Sequence, residues 1–136
     1  MKKLLPLLLV FLVCACTGKP SISEIEEQVV GKLLSDGADE VYAVENFEKT
    51  NGFEKSANTY IADVKYDLVF KKGIKDFALE LKSDSHGSLF QQLGAGLNVM
   101  ALKMQFGNFE PGQRVSRAEK VVFIKTEKGW RIDDDR

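Results

Sequence analysis

Twelve consecutive residues restrict the fold of this chain more than any other feature. Tyr60, Ala62, Val64, Tyr66, Leu68 and Phe70 alternate with Ile61, Asp63, Lys65, Asp67, Val69 and Lys71. Successive side chains of a strand point to opposite faces, so one face here is apolar and the other mostly charged. Period two over so long a run predicts an antiparallel sheet that is covered on one side and wet on the other.

The flanking segments supply the cover. Ile22, Ile25, Val29 and Leu33 recur at steps of three and four, with Val30 and Leu34 widening the stripe, which predicts a helix lying on a core. Ser21 or Ser23 can cap it. Ser23 with Glu26 has the capping-box spacing, Glu24, Glu26 and Glu27 suit the positive end of the helix dipole, and Gly37 is a stop. Val41 to Lys49 reads as a strand, and Asn51-Gly52 as the turn that returns it, since both residues tolerate positive φ. Ser56-Ala57-Asn58 offers a bulge or a wider loop before the return strand. Ile74, Phe77, Ala78 and Leu81 take up helical spacing until Ser83 to Ser88 interrupts it. Leu89, Leu93, Leu97, Met100 and Met104 then recur at helical spacing. With Phe90, Val99, Ala101 and Leu102 beside them, they predict a deeply buried helix. Phe109-Glu110-Pro111-Gly112 marks a turn, with Pro where φ is pre-set and Gly where φ is positive. Val121 to Lys125 pairs across Glu127-Lys128-Gly129 with Trp130-Arg131-Ile132, and Asp133 to Arg136 form a frayed tail. The order helix, hairpin, helices, hairpin predicts an α+β fold: an antiparallel sheet of about four strands with helices packed on one face.

The N-terminal residues carry a different kind of signal. Lys2 and Lys3 precede an apolar run from Leu4 to Val13, broken only by Pro6 and far shorter than the roughly 20 residues that span a bilayer. Val13-Cys14-Ala15-Cys16 ends it and resembles the lipobox of bacterial lipoproteins. Small Ala15 before Cys16 and branched Val13 three residues before it match that pattern. Cys14 fits poorly, with Val13 before it and Phe11 at the third position back. The resemblance implies that Cys16 sulfur receives a diacylglyceryl group, that a peptidase cuts before Cys16, and that the new amino terminus is often acylated too. Two or more acyl chains give a lasting anchor where one binds only marginally. Residues 1–15 are then a signal peptide, 16–20 a lipidated tether and 21–136 a single α+β domain. Thr17 is not the aspartate that commonly retains lipoproteins in the inner membrane of enteric bacteria, which favours the periplasmic face of the outer membrane. The terminal hairpin over residues 121–132, with the leading helix, resembles small exported domains of cystatin-like or NTF2-like fold, many of them lipoproteins.

Charge and composition exclude several classes of function. The chain has 136 residues, 44% hydrophobic and 29% charged, which is ordinary for a globular protein. Removing Lys2 and Lys3 from 19 basic residues leaves 17 against 20 acidic ones, a net charge of −3 with no basic stripe for nucleic acid. Cys14 leaves with the signal and Cys16 is consumed by lipid, so no disulfide or free thiol is expected in the domain. Asp84, Ser85, His86 and Ser88 include the residue types of a hydrolase triad. Neighbours in a loop point in different directions, however, and no Gly-x-Ser-x-Gly elbow is present. His86 is the sole histidine, and Asp133 to Asp135 lack the spaced ligands and glycine of a calcium loop. Gly94-Ala95-Gly96 is half of a phosphate-binding fingerprint, and close helix packing explains it better.

No catalytic residue, cofactor or metal ligand is therefore assigned; the one site residue is Cys16, as the lipidation site. The expectation is a non-enzymatic envelope lipoprotein, held to the membrane through Cys16, that binds a protein or another envelope component. Asp63, Lys65, Asp67 and Lys71 form its candidate contact surface. One alternative is a small-molecule carrier, or less readily an enzyme, with an NTF2-like pocket lined by Tyr42, Tyr60, Tyr66 and Trp130. The apolar face of the long strand places no acid or base in such a pocket. The other alternative is an inhibitor of an envelope hydrolase acting through the loop Ser83 to Ser88.

Overall fold

The computed structural model describes residues 18–83 and 99–135. The motif at Val13 to Cys16, the residues Asp84 to Ser88, the Gly94-Ala95-Gly96 step and the leucines at 89, 93 and 97 lie outside them. Four strands form one antiparallel meander in the order β1 (Tyr42–Ser56), β2 (Thr59–Phe70), β3 (Arg114–Thr126) and β4 (Gly129–Ile132). Helix α1 (Ile22–Leu33) precedes the sheet and α2 (Ile74–Ser83) follows β2. Residues 99–106 form a further helical segment. The α+β class, the four strands and the one-sided cover are as the sequence predicts.

Strand β2 is the spine of the core. Tyr60, Ala62, Val64, Tyr66, Leu68 and Phe70 are all buried, while their alternates are half-buried or exposed. Ile25 and Val29 of α1 cover part of this face together with Phe123 and Trp130. Phe70 anchors the rest: its ring stacks on Phe109 at 4.1 Å and meets Phe106 and Tyr42 edge-on. Such offset and edge contacts suit the aromatic quadrupole and add to the area each ring removes from water. Gly112 has φ +79° and the Gln113 amide donates to Glu110 carbonyl, which is the turn that Pro111-Gly112 demands.

Helix α1 starts two residues earlier than Ser23 would start it. Ser21 is the cap: Glu24 N–H donates to Ser21 Oγ at 3.2 Å and Ser21 N–H donates to Glu24 Oε2 at 2.8 Å. Both serines have a glutamate three residues on, so the neighbours decide. A cap at Ser21 puts Pro20 and Ile25 at the two positions of a hydrophobic staple, and both are buried. A cap at Ser23 would put exposed Ile22 and Glu27 there. The helix ends at Leu33, short of Gly37, and the chain turns with Asp36 and Gly37 both in the left-handed region.

The first hairpin departs from its expected turn. Strand β1 runs straight through Asn51-Gly52, and the chain reverses at Ala57-Asn58. Between Tyr42↔Phe70 and Ser56↔Thr59, fifteen residues of β1 oppose twelve of β2, so three bulges absorb three extra residues. They fall between Glu45 and Glu48, between Lys49 and Asn51, and between Glu54 and Ser56; Asn46, in the first, has φ +54°. Gly52 serves packing, not reversal. A Cβ there would lie 2.8 Å from Tyr60 Cζ, with the Tyr60 hydroxyl oxygen closer still.

Two further expectations fail. Met100 and Met104 are 60% and 80% exposed, while Val99, Leu102 and Phe106 pack against the core. At about 100° per residue these three share a narrow arc, and Met100 sits roughly a third of a turn and Met104 nearly half a turn from its centre. The tail is also tied down: Asp133 N–H donates to Val122 carbonyl and Asp134 pairs with Lys32. Beside it, the Gln28 side-chain amide closes the outer edge of β4. Its Nε2 donates to Trp130 carbonyl at 2.7 Å and its Oε1 accepts from Ile132 N–H at 3.1 Å. One side chain thus stands in for a fifth strand.

Candidate functional site

The predicted contact surface is a lattice of paired charges. Asp63 meets Lys120 at 3.2 Å, Lys65 meets Glu48 at 3.1 Å, and Lys71 donates to Asp39 carbonyl at 2.7 Å. Asp67, whose side chain is only 16% exposed, accepts from Ser116 Oγ at 2.6 Å, Asn46 Nδ2 at 2.8 Å and Arg114 at 3.1 Å. These bonds, that of Ser116 foremost, hold the Asp67 carboxyl below its ordinary value. Arg114 bridges on to Glu45 at 2.7 Å. The network spans three strands and ties the bulge at Asn46 to the rest of the sheet. Its charges answer one another, so they do not constitute a binding site by themselves.

Among the described residues the sheet is open along the outer side of edge strand β1 and, where hollows border it, along the first half of β3. That first half, Arg114 to Lys120, carries Val115 as its sole large apolar residue, and the sequence reading begins the strand only at Val121. That half is a strand because β2 supplies a complete ladder from Val69↔Arg114 to Thr59↔Ile124. β4 pairs only with residues 123–126 on the other side. The directions of the backbone groups follow from three bonds. Lys125 N–H donates to Asn58 carbonyl and Gln113 carbonyl accepts from Phe70 N–H, so odd residues face β2. Val122 carbonyl accepts from Asp133 N–H, so even residues face away. The N–H and C=O groups of Ser116, Ala118 and Lys120 therefore point along an open flank, where all three residues are exposed.

Among the described residues, three hollows border this stretch. One of about 380 Å³ lies between the last turns of α1 (Val29, Lys32, Leu33) and β3 (Glu119 to Val122), reaching Ile132 and Asp133. A second, of about 290 Å³, adds Tyr42, Tyr66, Leu68, Gln105 and Phe106 to Arg117, Ala118 and Glu119. The third, of about 550 Å³, opens where β1 bulges away at Asn46 and is bounded by Glu48, Lys65, Asp67 and Ser116 to Ala118.

The face that the apolar strand leaves without an acid receives one from its neighbour. Glu119 on β3 sits opposite Val64, and Tyr66 hydroxyl donates to its Oε1 at 2.9 Å. Burial, reinforced by that bond, raises the Tyr66 hydroxyl well above its ordinary value, so it remains a donor at neutral pH. Arg117, opposite Tyr66, lies 5.2 Å from the Phe106 ring centroid in a cation–π contact. Of the aromatic residues expected to line a cavity, Tyr42 and Tyr66 border the second hollow, whereas Tyr60 and Trp130 are buried against each other in the core. Tyr42 hydroxyl donates to Leu33 carbonyl at 2.9 Å, and Tyr60 packs edge-on against Trp130. Among the described residues no group of three carboxylate, histidine or cysteine side chains is placed to hold a metal ion. The arrangement offers backbone hydrogen bonds, alternating depressions and two held charges of opposite sign, Arg117 on the Phe106 ring and Glu119 on the Tyr66 hydroxyl, which is equipment for recognition. Comparison with protein-family models, curated proteins and solved structures finds no match.

Proposed function

We propose that this protein is a membrane-anchored lipoprotein of the bacterial envelope, held by lipid on Cys16, whose domain binds another envelope protein without catalysing a reaction. The binding mode is strand addition: an extended segment of the partner pairs with the open flank of β3. The observation that carries it is the mismatch in strand length, since β4 covers only residues 123–126 and the groups of Ser116, Ala118 and Lys120 face outward. In strand addition the backbone supplies affinity and pockets for alternate side chains supply specificity. The hollow between α1 and β3 suits side chains on one face of the added strand. Arg117, Glu119 and Lys120 mix both signs and deter pairing between two copies of this edge. Tyr66 and Asp67, shifted in opposite directions, both stay in one protonation state through neutrality, which supports binding over proton transfer.

Ala118→Pro tests the mode. It removes an outward N–H and leaves the ladder to β2 intact, as proline at a sheet edge does. After crosslinking in intact membranes, the unmodified protein should repeatedly recover one partner. The Ala118→Pro variant should recover none while keeping its circular dichroism. Recovery of the lipoprotein alone from wild type, or an equal partner yield from the variant, refutes strand addition. The anchor has a separate readout, because Cys16→Ser should abolish acyl labelling and release the domain from membranes. Labelling that persists assigns the lipid to Cys14.

A further inference from the structure

We infer that the end of the sheet carrying both hairpin turns rests against the membrane, with Phe53 and Ile124 of the uncovered face as its contact residues. The inference builds on lipidation at Cys16. A Cβ on Gly18 would lie 3.8 Å from Glu54 Oε1, beside the reversal at Ala57-Asn58. Cys16 is two residues earlier and so within about 7 Å of Gly18.

The direction of α1 agrees. Its last turns lie by Asp134 and Tyr42, so its N-terminal end, with buried Pro20 before it, points toward the turns. The turn at Glu127-Lys128 shares that end, because Lys125 N–H donates to Asn58 carbonyl. A lipid at Cys16 therefore brings this end to the bilayer and directs α2 and the turn at Pro111 away from it.

The surface at that end is apolar on the uncovered face. Phe53 opposes Ile61, which opposes Val122, and Thr59 opposes Ile124, so these side chains form one patch. Phe53 is 46% exposed and Ile124 36%. Elsewhere the same face carries the paired charges of Asp63, Lys65, Asp67 and their partners. Lys19, Lys55, Lys125 and Lys128 stand near Glu54, Glu127 and the glutamates that open α1, so charge is close to balanced there. The apolar patch, not a basic one, makes the contact. Aromatic and branched side chains beside an acyl anchor supply the additional burial that turns a tether into a fixed orientation. Ala118 lies eight residues from the end of β3, so its open flank stands about 26 Å along the strand from the turns, clear of the headgroups.

The processed protein suits a labelling test, since Cys16 would carry lipid and leave an introduced cysteine as the single thiol. Phe53→Cys, Ile124→Cys and, at the far end, Leu79→Cys are labelled with a fluorophore in the lipidated protein. Each is then reconstituted in phosphatidylcholine vesicles with or without brominated chains. The labels at 53 and 124 should lose most of their fluorescence to the brominated lipid, and the label at 79 should lose none. Protein that floats with the vesicles but shows equal or reversed quenching overturns the orientation alone. Protein that does not float, and behaves as Cys16→Ser does, overturns the lipid anchor and this inference with it. Using two contact positions guards against one substitution failing to fold.

Discussion

Replacing Gly52 with alanine isolates what the structure adds at this position. An Asn-Gly turn would make Gly52 necessary for positive φ. In the structure Gly52 pairs with Ala62 inside a ladder and its φ is not positive, so the backbone alone accepts alanine. The obstacle is a ring: the new Cβ would sit 2.8 Å from both Tyr60 Cζ and Lys49 Cε, well inside ordinary contact distance. Lys49 can swing away. Tyr60 cannot, because it is 2% exposed and wedged against Trp130. Overpacking of this kind costs about 1–3 kcal/mol, and exchanging glycine for alanine in a strand returns roughly 0.5–1 kcal/mol of backbone entropy. The difference reaches at most about 2.5 kcal/mol and centres on a net loss of about 1 kcal/mol, which lowers Tm by roughly 4 °C in a domain of this size. Urea unfolding of Gly52→Ala, Tyr60→Phe and the double variant measures it. Removing the Tyr60 hydroxyl oxygen takes away the nearest atom, so the double variant should be more stable than the sum of the singles predicts, with a coupling of at least about 0.5 kcal/mol. An unchanged or raised midpoint for Gly52→Ala, or strict additivity, refutes the close approach.

Two further outcomes follow from the same geometry. Ser21→Ala should cost about 1 kcal/mol by thermal or urea unfolding, as loss of a cap does, whereas Ser23→Ala should change stability little; the reverse order would move the start of α1. Asp67 titrates below its ordinary value in the fold, so its contribution is fully present above the unfolded value near 3.8 and is lost as pH falls through the lower folded value. The stability gap between wild type and Asp67→Asn should therefore be widest near neutrality and close on acidification below that point. A gap independent of pH would remove the ionised carboxylate from the network.

The elements that were legible from sequence are those whose pattern is complete within one segment. β2 writes its buried face in its own alternation, α1 in its own stripe and cap, and the terminal hairpin in two short apolar runs about a turn. The Pro111-Gly112 turn belongs with them, because local φ preferences decide it. Asn51-Gly52 misled because its local preference for reversal is weaker than a ladder to β2 combined with a tyrosine that requires the space above Gly52. Met100 and Met104 misled for a related reason: an apolar helix has more than one candidate face, and the aromatic cluster around Phe70 selects the arc of Val99, Leu102 and Phe106.

The sequence by itself determined the α+β class, the one-sided sheet and the motif on which the proposal of a lipid at Cys16 rests, since periodicity and peptide motifs are properties of consecutive residues. Only the tertiary structure decided that the polar half of β3 is a strand, because its pairing is supplied by β2, more than forty residues earlier in the chain. The same holds for Gln28 closing the edge of β4, for Glu119 meeting Tyr66, and for Gly18 lying beside Glu54 at the turns of the sheet. Each depends on two segments meeting in space, and hydrogen-bond directions across strands are set by register, which no single segment contains.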